Sequence, residues 1–164
     1  MLIDGASGLE NWRRVGDANW RARDGAIEAT SGTGYLVTLQ SYRDVRVRAE
    51  FWADAEANSG IFLRVQDPKE ITPASSYEVN IFDRRPDPSY GTGAIVGFAP
   101  VPQPLQVGGR WNTYDITVRG ARVVVTLNGK KTVDIEEPSF AYGPIALQAA
   151  GGTIRWRRLE VQPL

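Results

Sequence analysis

Polar and apolar residues alternate with period two in three neighbouring stretches of the chain. In residues 44–52, Val45, Val47, Ala49 and Phe51 fall on one side, and Arg46, Arg48, Glu50 and Trp52 on the other. Residues 61–66 divide Ile61, Leu63 and Val65 from Phe62, Arg64 and Gln66, and residues 77–82 divide Tyr77, Val79 and Ile81 from Glu78, Asn80 and Phe82. Successive side chains of a strand point to opposite faces, so each stretch predicts a half-buried strand. Set side by side in one sheet, the three would gather Glu50, Arg64, Glu78 and Asn80 with Trp52, Phe62 and Phe82. Carboxylates, a guanidinium, an amide and aromatic rings on one face suit a sugar, whose apolar C–H side stacks on a ring. The same charges would also serve as plain cross-strand pairs, at roughly 0.2–1 kcal/mol each.

Short runs of this kind recur over 19–23, 26–30, 35–39, 44–53, 60–66, 76–83, 94–98, 111–119, 122–127, 131–135, 144–149 and 153–162, with no sustained helical period. Asn128-Gly129 between Val123–Leu127 and Lys130–Ile135 supplies the positive φ angles of a type I′ hairpin turn. Gly120 and Gly25 mark two more tight turns. Strands at this spacing predict an all-β, antiparallel sandwich or barrel, and with no repeat, linker or low-complexity segment residues 1–164 read as a single domain. Three proline-bearing loops interrupt the pattern, at 66–76 with Pro68 and Pro73, at 84–92 with Pro86 and Pro88, and at 99–109 with Pro100, Pro102 and Pro104. Such loops, set around a rigid sheet, commonly line binding sites.

Composition narrows the chemistry. Basic and acidic residues number 19 each, which argues against nucleic acid or an anionic membrane as the partner. The chain has no histidine and no cysteine, which removes Ser–His and Cys–His nucleophiles, thiolate zinc sites and imidazole ligands together. Acid–base work falls to Asp, Glu, Tyr or Lys, and any metal would sit among oxygens, favouring calcium, magnesium or manganese. No stretch is long and apolar enough to span a bilayer, and Met1-Leu2-Ile3-Asp4-Gly5 runs straight into domain-like sequence, with no signal sequence. Trp20, Trp111 and Trp156 read as core aromatics, whereas Trp52 shares the polar face of Glu50.

Several runs resemble, in order, the signatures of the 3-keto-disaccharide hydrolase domain family. They are Asn58-Ser59-Gly60-Ile61-Phe62-Leu63-Arg64, Tyr77-Glu78-Val79-Asn80-Ile81-Phe82-Asp83, Thr92-Gly93-Ala94-Ile95, Gly109-Arg110-Trp111-Asn112-Thr113-Tyr114, Leu127-Asn128-Gly129, Ile145-Ala146-Leu147-Gln148 and Arg157-Arg158-Leu159-Glu160-Val161. The resemblance implies a concanavalin A-like jelly roll with a sugar site on the concave sheet face. It also implies action on glycosides oxidised at carbon 3, and a periplasmic or secreted location. One departure stands out. Where relatives often continue the Leu-Gln run with an Asp-His-Gly-like segment, this chain reads Leu147-Gln148-Ala149-Ala150-Gly151.

A ketone at carbon 3 acidifies the hydrogen at carbon 2, so that the substituent at carbon 1 can leave by elimination. The reaction needs a base near carbon 2, a positive or donor group for the enolate oxygen, and an acid for the leaving group. Glu78 or Glu50 could be the base, Arg64 the enolate stabiliser and the other carboxyl the acid, with Trp52, Asn80, Asp83 and Gln148 as substrate contacts. With its acid and histidine missing, the same scaffold would serve equally as a non-catalytic carbohydrate-binding domain. A conventional retaining glucanase is not expected, since no strand carries closely alternated Glu and Asp residues.

Overall fold

A computed structural model describes residues 1–84 and 87–164; Arg85 and the expected loop residue Pro86 lie outside the described residues. Among the described residues thirteen strands follow one another: β1 (Ile3–Asp4), β2 (Trp12–Gly16), β3 (Arg21–Arg23), β4 (Ala26–Ala29), β5 (Gly34–Tyr42), β6 (Val45–Ala53), β7 (Ser59–Leu63), β8 (Tyr77–Ile81), β9 (Trp111–Arg119), β10 (Arg122–Leu127), β11 (Lys130–Glu136), β12 (Gly143–Ala149) and β13 (Ile154–Pro163). They form two antiparallel sheets. The first runs β11-β10-β9-β6-β13-β4-β3, with β1 paired to β13, and the second runs β2-β5-β12-β7-β8. This is the expected antiparallel β-sandwich.

Between the sheets lies a core fed by the apolar parity of each strand. Val45, Val47, Ala49 and Phe51 face it from β6, Tyr114 and Ile116 from β9, and Ile61, Val79, Leu36 and Leu147 from the second sheet. Phe51 stacks on Tyr114 at 5.4 Å between ring centroids, and Trp156 leans against Phe51 at 5.7 Å. Trp20 is a core residue as expected, but Trp111 is not. It opens β9 opposite Trp52 on the outward parity of the first sheet, where the Arg157 guanidinium lies 4.2 Å from its ring centroid.

Two elements differ from the pattern. Segment 94–98 forms isolated bridges, Val79 to Ile95 and Ile95 to Ala99, rather than a strand. Gly93 and Gly97 there take φ of 102° and 81°, which breaks a continuous ladder. In turn β2 carries no period-two signature, because Arg13 and Arg14 are adjacent and both exposed on a sheet edge.

Candidate functional site

The three alternating stretches do not share a sheet. β7 and β8 pair, with Phe62 opposite Glu78 and Gly60 opposite Asn80, whereas β6 pairs with β9 and β13 in the other layer. Glu50 and Trp52 therefore sit on the outer face of the first sheet. There Glu50 accepts a 2.7 Å hydrogen bond from Arg157 Nε. The sandwich core separates them from Glu78, so Glu50 cannot act as its acid or base partner.

Arg64 is also removed from the expected site. Its φ of 50° ends β7 and swings the side chain to the end of the sandwich. Nε and Nη2 donate to the Arg43 carbonyl at 3.0 and 2.8 Å, Nη1 to the Gly120 and Phe140 carbonyls at 2.7 and 2.8 Å, and Nη2 to Asp44 Oδ1 at 3.3 Å. All five guanidinium N–H groups are thus engaged, and the residue is only 3 % exposed. It ties three chain reversals together and offers nothing to an enolate. Asp83 has a comparable role in the turn after β8. Its Oδ1 accepts from Thr92 Oγ1, and its Oδ2 accepts from the Val107 and Gly108 backbone N–H groups, each at 2.8 Å.

What the structure does bring together lies on the outer face of the second sheet. The registers place Val15, Tyr35, Gln148, Gly60 and Asn80 in one row across β2, β5, β12, β7 and β8, and Arg13, Val37, Ala146, Phe62 and Glu78 in the next. At Gly60 the first row has no side chain. A Cβ built there would stand 2.9 Å from the Val79 carbonyl oxygen, 3.5 Å from Glu78 Cγ and 3.6 Å from Phe62 Cε1, so the hollow left by the missing side chain is taken up by the side chains of Glu78 and Phe62, both buried. Loop 66–76 closes one flank, where Ile71 packs against Val37, Phe62 and Ala146. On the other flank the Tyr90 carbonyl accepts from Asn80 Nδ2, and the Val96 N–H donates to the Glu78 carbonyl.

The polar groups here are under-used. Glu78 is 7 % exposed, and its carboxylate has no hydrogen bond or ion pair within the described residues. Desolvation pushes its pKa up from 4.5 to about 7. Gln148 Oε1 and Asn80 Oδ1, on either side of Gly60, are buried acceptors with no partner among the described residues. Leaving such groups unpaired costs about 1–3 kcal/mol each. Gln148 Nε2 donates to the Tyr35 hydroxyl at 3.4 Å. The Tyr35 ring meets Phe62 edge-on, 5.5 Å between centroids at 89°.

Glu78, Asn80 and Gln148 are thus the sequence candidates that converge, while Glu50, Trp52, Arg64 and Asp83 do not join them. Tyr35 and Gly60 join the site without having been singled out; the signal for Tyr35 was the alternation of Tyr35 and Val37 against Leu36 in 35–39. Among the described residues no three acidic side chains come together. A lone carboxylate with two amides does not make the six- to eight-oxygen cage of a hard cation.

Residues 1–162 match a family model described as the 3-keto-alpha-glucoside-1,2-lyase-like domain. No curated relative matches the chain. Among solved structures, a candidate glycosyl hydrolase from Parabacteroides distasonis ATCC 8503 superposes with a TM-score of 0.80 at 23% identity, over 93% of this chain and 99% of that one. A second from the same organism gives 0.85 at 18% identity, over 99% and 92%. The carbohydrate-binding module CBM66 from Bacillus subtilis gives 0.74 at 14% identity, over 93% and 95%. At these identities the likeness is one of fold, and the fold is one used by carbohydrate-active and carbohydrate-binding domains.

Proposed function

The chain belongs to the 3-keto-alpha-glucoside-1,2-lyase-like domain family, and from that membership we propose that it acts on 3-keto-glycosides, breaking the bond at carbon 1 by elimination followed by hydration. The observation that carries this reading is Glu78: a buried carboxyl on the edge strand β8 with no ion pair among the described residues, its pKa raised to about 7 by burial. A base poised near the working pH is what removal of a proton next to a ketone needs. The unpaired acceptors Asn80 Oδ1 and Gln148 Oε1 would take hydroxyl donors of the sugar ring. No step is assigned to a metal. A periplasmic or secreted place of action belongs to the same proposal.

Incubating the protein with 3-keto-sucrose or 3-keto-trehalose tests it. Release of the second sugar is expected from the wild type and is lost in Glu78→Gln; equal rates in the two proteins would refute the role of Glu78. One observation favours a second reading. The resemblance implies that family members often carry an acid and a histidine where this chain has Ala149 and Ala150, and Ala150 lies just beyond the end of β12, its N–H bonded to the Asn58 carbonyl. A site short of those groups would bind sugar without cleaving it. Saturable sugar binding without turnover, with and without added divalent cation, would select that reading.

A further inference from the structure

The elimination proposed above needs an acid for the departing oxygen as well as a base. Glu50, the carboxyl expected to supply it, is in the other sheet, and Asp83, expected as a substrate contact, is bonded to backbone N–H groups. The group that the fold does place at the hollow is a phenol. We propose that Tyr35 is a catalytic residue, the general acid that protonates the leaving oxygen of the glycoside, and that Gln148 is its positioning residue; this rests on the reading of Glu78 as the base.

The geometry supports it in three ways. Tyr35 lies in the row of Gln148 and Gly60, and Glu78, one row away and three strands across the sheet, leans its Cγ over Gly60, so the two side chains approach the same row from opposite sides. Burial raises the Tyr35 pKa, the Gln148 hydrogen bond opposes it and the Glu78 charge adds a smaller push upward, keeping the O–H proton in place at neutral pH. Gln148 Nε2 donates to the phenol oxygen at 3.4 Å. That bond leaves the O–H proton free for another acceptor and stabilises the phenolate formed once the proton has gone. In the resting structure the proton is aimed at the Ile71 carbonyl, also 3.4 Å away. Both contacts are longer than an ordinary hydrogen bond. The edge-on contact with Phe62 fixes the ring itself.

The step balances without an oxidant or reductant. The Glu78 carboxylate takes the proton from carbon 2, and that C–H pair becomes the double bond between carbons 1 and 2. The bond from carbon 1 to the leaving oxygen breaks and its pair stays on that oxygen. The Tyr35 proton moves to the oxygen, releasing an alcohol, and the resulting phenolate is reprotonated from water.

General acids are recognised by their dependence on the leaving group. The test uses methyl 3-keto-glucoside, whose leaving alkoxide needs a proton, and 4-nitrophenyl 3-keto-glucoside, whose nitrophenolate leaves unaided. Tyr35→Phe keeps the ring against Phe62. It is expected to slow turnover of the methyl glycoside by about a hundredfold or more and that of the nitrophenyl glycoside by less than tenfold. Equal losses on both substrates, or no loss on either, overturn the assignment. A second measurement is independent of how the variant folds: the wild type is expected to turn over the two substrates at similar rates, and a steep preference for nitrophenyl overturns it too. Turnover of neither substrate by the wild type would instead sink the reading of the site as catalytic, and this proposal with it.

Discussion

At the level of single residues, Glu78 and Arg64 look alike in sequence, charged residues on the polar parity of adjacent strands, yet their surroundings give them opposite roles. Glu78 is buried without a partner and carries a proton in the folded chain up to a pH of about 7, against 4.5 for the free side chain. Its contribution to stability is therefore complete below pH 4.5, falls as pH rises through the folded pKa, and is lost above it. Glu78→Gln is uncharged throughout. The variant is expected to exceed wild-type stability by about 3 kcal/mol at pH 8 and to match it near pH 4. Urea unfolding at the two pH values checks this, and a variant no more stable at pH 8 would mean that the carboxylate is not desolvated. Arg64 is buried with every donor engaged. A lysine there has three donors and no planar fork, so Arg64→Lys is expected to cost on the order of 2–3 kcal/mol in carbonyls left unpaired. Thermal unfolding measures that loss. Unchanged stability with turnover abolished would return Arg64 to the reacting groups.

Within single elements, β7 is the strand on which the site depends, because its glycine opens the hollow. In Gly60→Ala the new methyl would lie 2.9 Å from the Val79 carbonyl oxygen, a backbone atom of the neighbouring strand, as well as beside Glu78 and Phe62. The expected result is a loss of about 1–3 kcal/mol of stability from overpacking and at least tenfold weaker binding of a 3-keto-sugar by calorimetry; unaltered affinity would show that the ring does not sit over Gly60. The same strand shows how far the sequence could be read. Alternation revealed β6, β7 and β8 as strands and the core-facing side of each, because period two is a property of one strand alone; it predicts one open face on each, whereas β7 and β8 are buried on both faces. It says nothing about which strands are neighbours. The charges of β6 could thus be grouped with those of β8, although the core of Phe51, Ile61 and Val79 lies between the two layers. Arg64 left its expected face because a positive φ ended the alternation one residue after Leu63, and Arg is not a residue that announces such a turn. The Asn128-Gly129 hairpin was legible because its turn chemistry is local, and indeed Asn128 and Gly129 take φ of 51° and 80°.

For the whole molecule, the order of strands in space differs sharply from their order in the chain, and β13 is where this matters most. The last strand lies between β6 and β4 in the middle of the first sheet and also pairs with β1, joining Leu159 to Ile3. It brings Trp156 and Leu159, both fully buried, to the core beside Phe51. Without it β6 and β4 would each expose an unpaired edge, and a sandwich this dependent on distant pairings has little to gain from partial assembly. A chain ending at Thr153 is therefore expected to stay unfolded, with no near-ultraviolet circular dichroism and no cooperative urea transition, even though every residue bordering the hollow is still present. Leu159→Ala in the full chain should show the same dependence in milder form, at about 2–5 kcal/mol for a buried leucine. A cooperative transition in the shortened chain would mean that the second sheet, with its Glu78 hollow, holds its shape on the remaining strands, and the site would then owe nothing to the strand that closes the opposite layer.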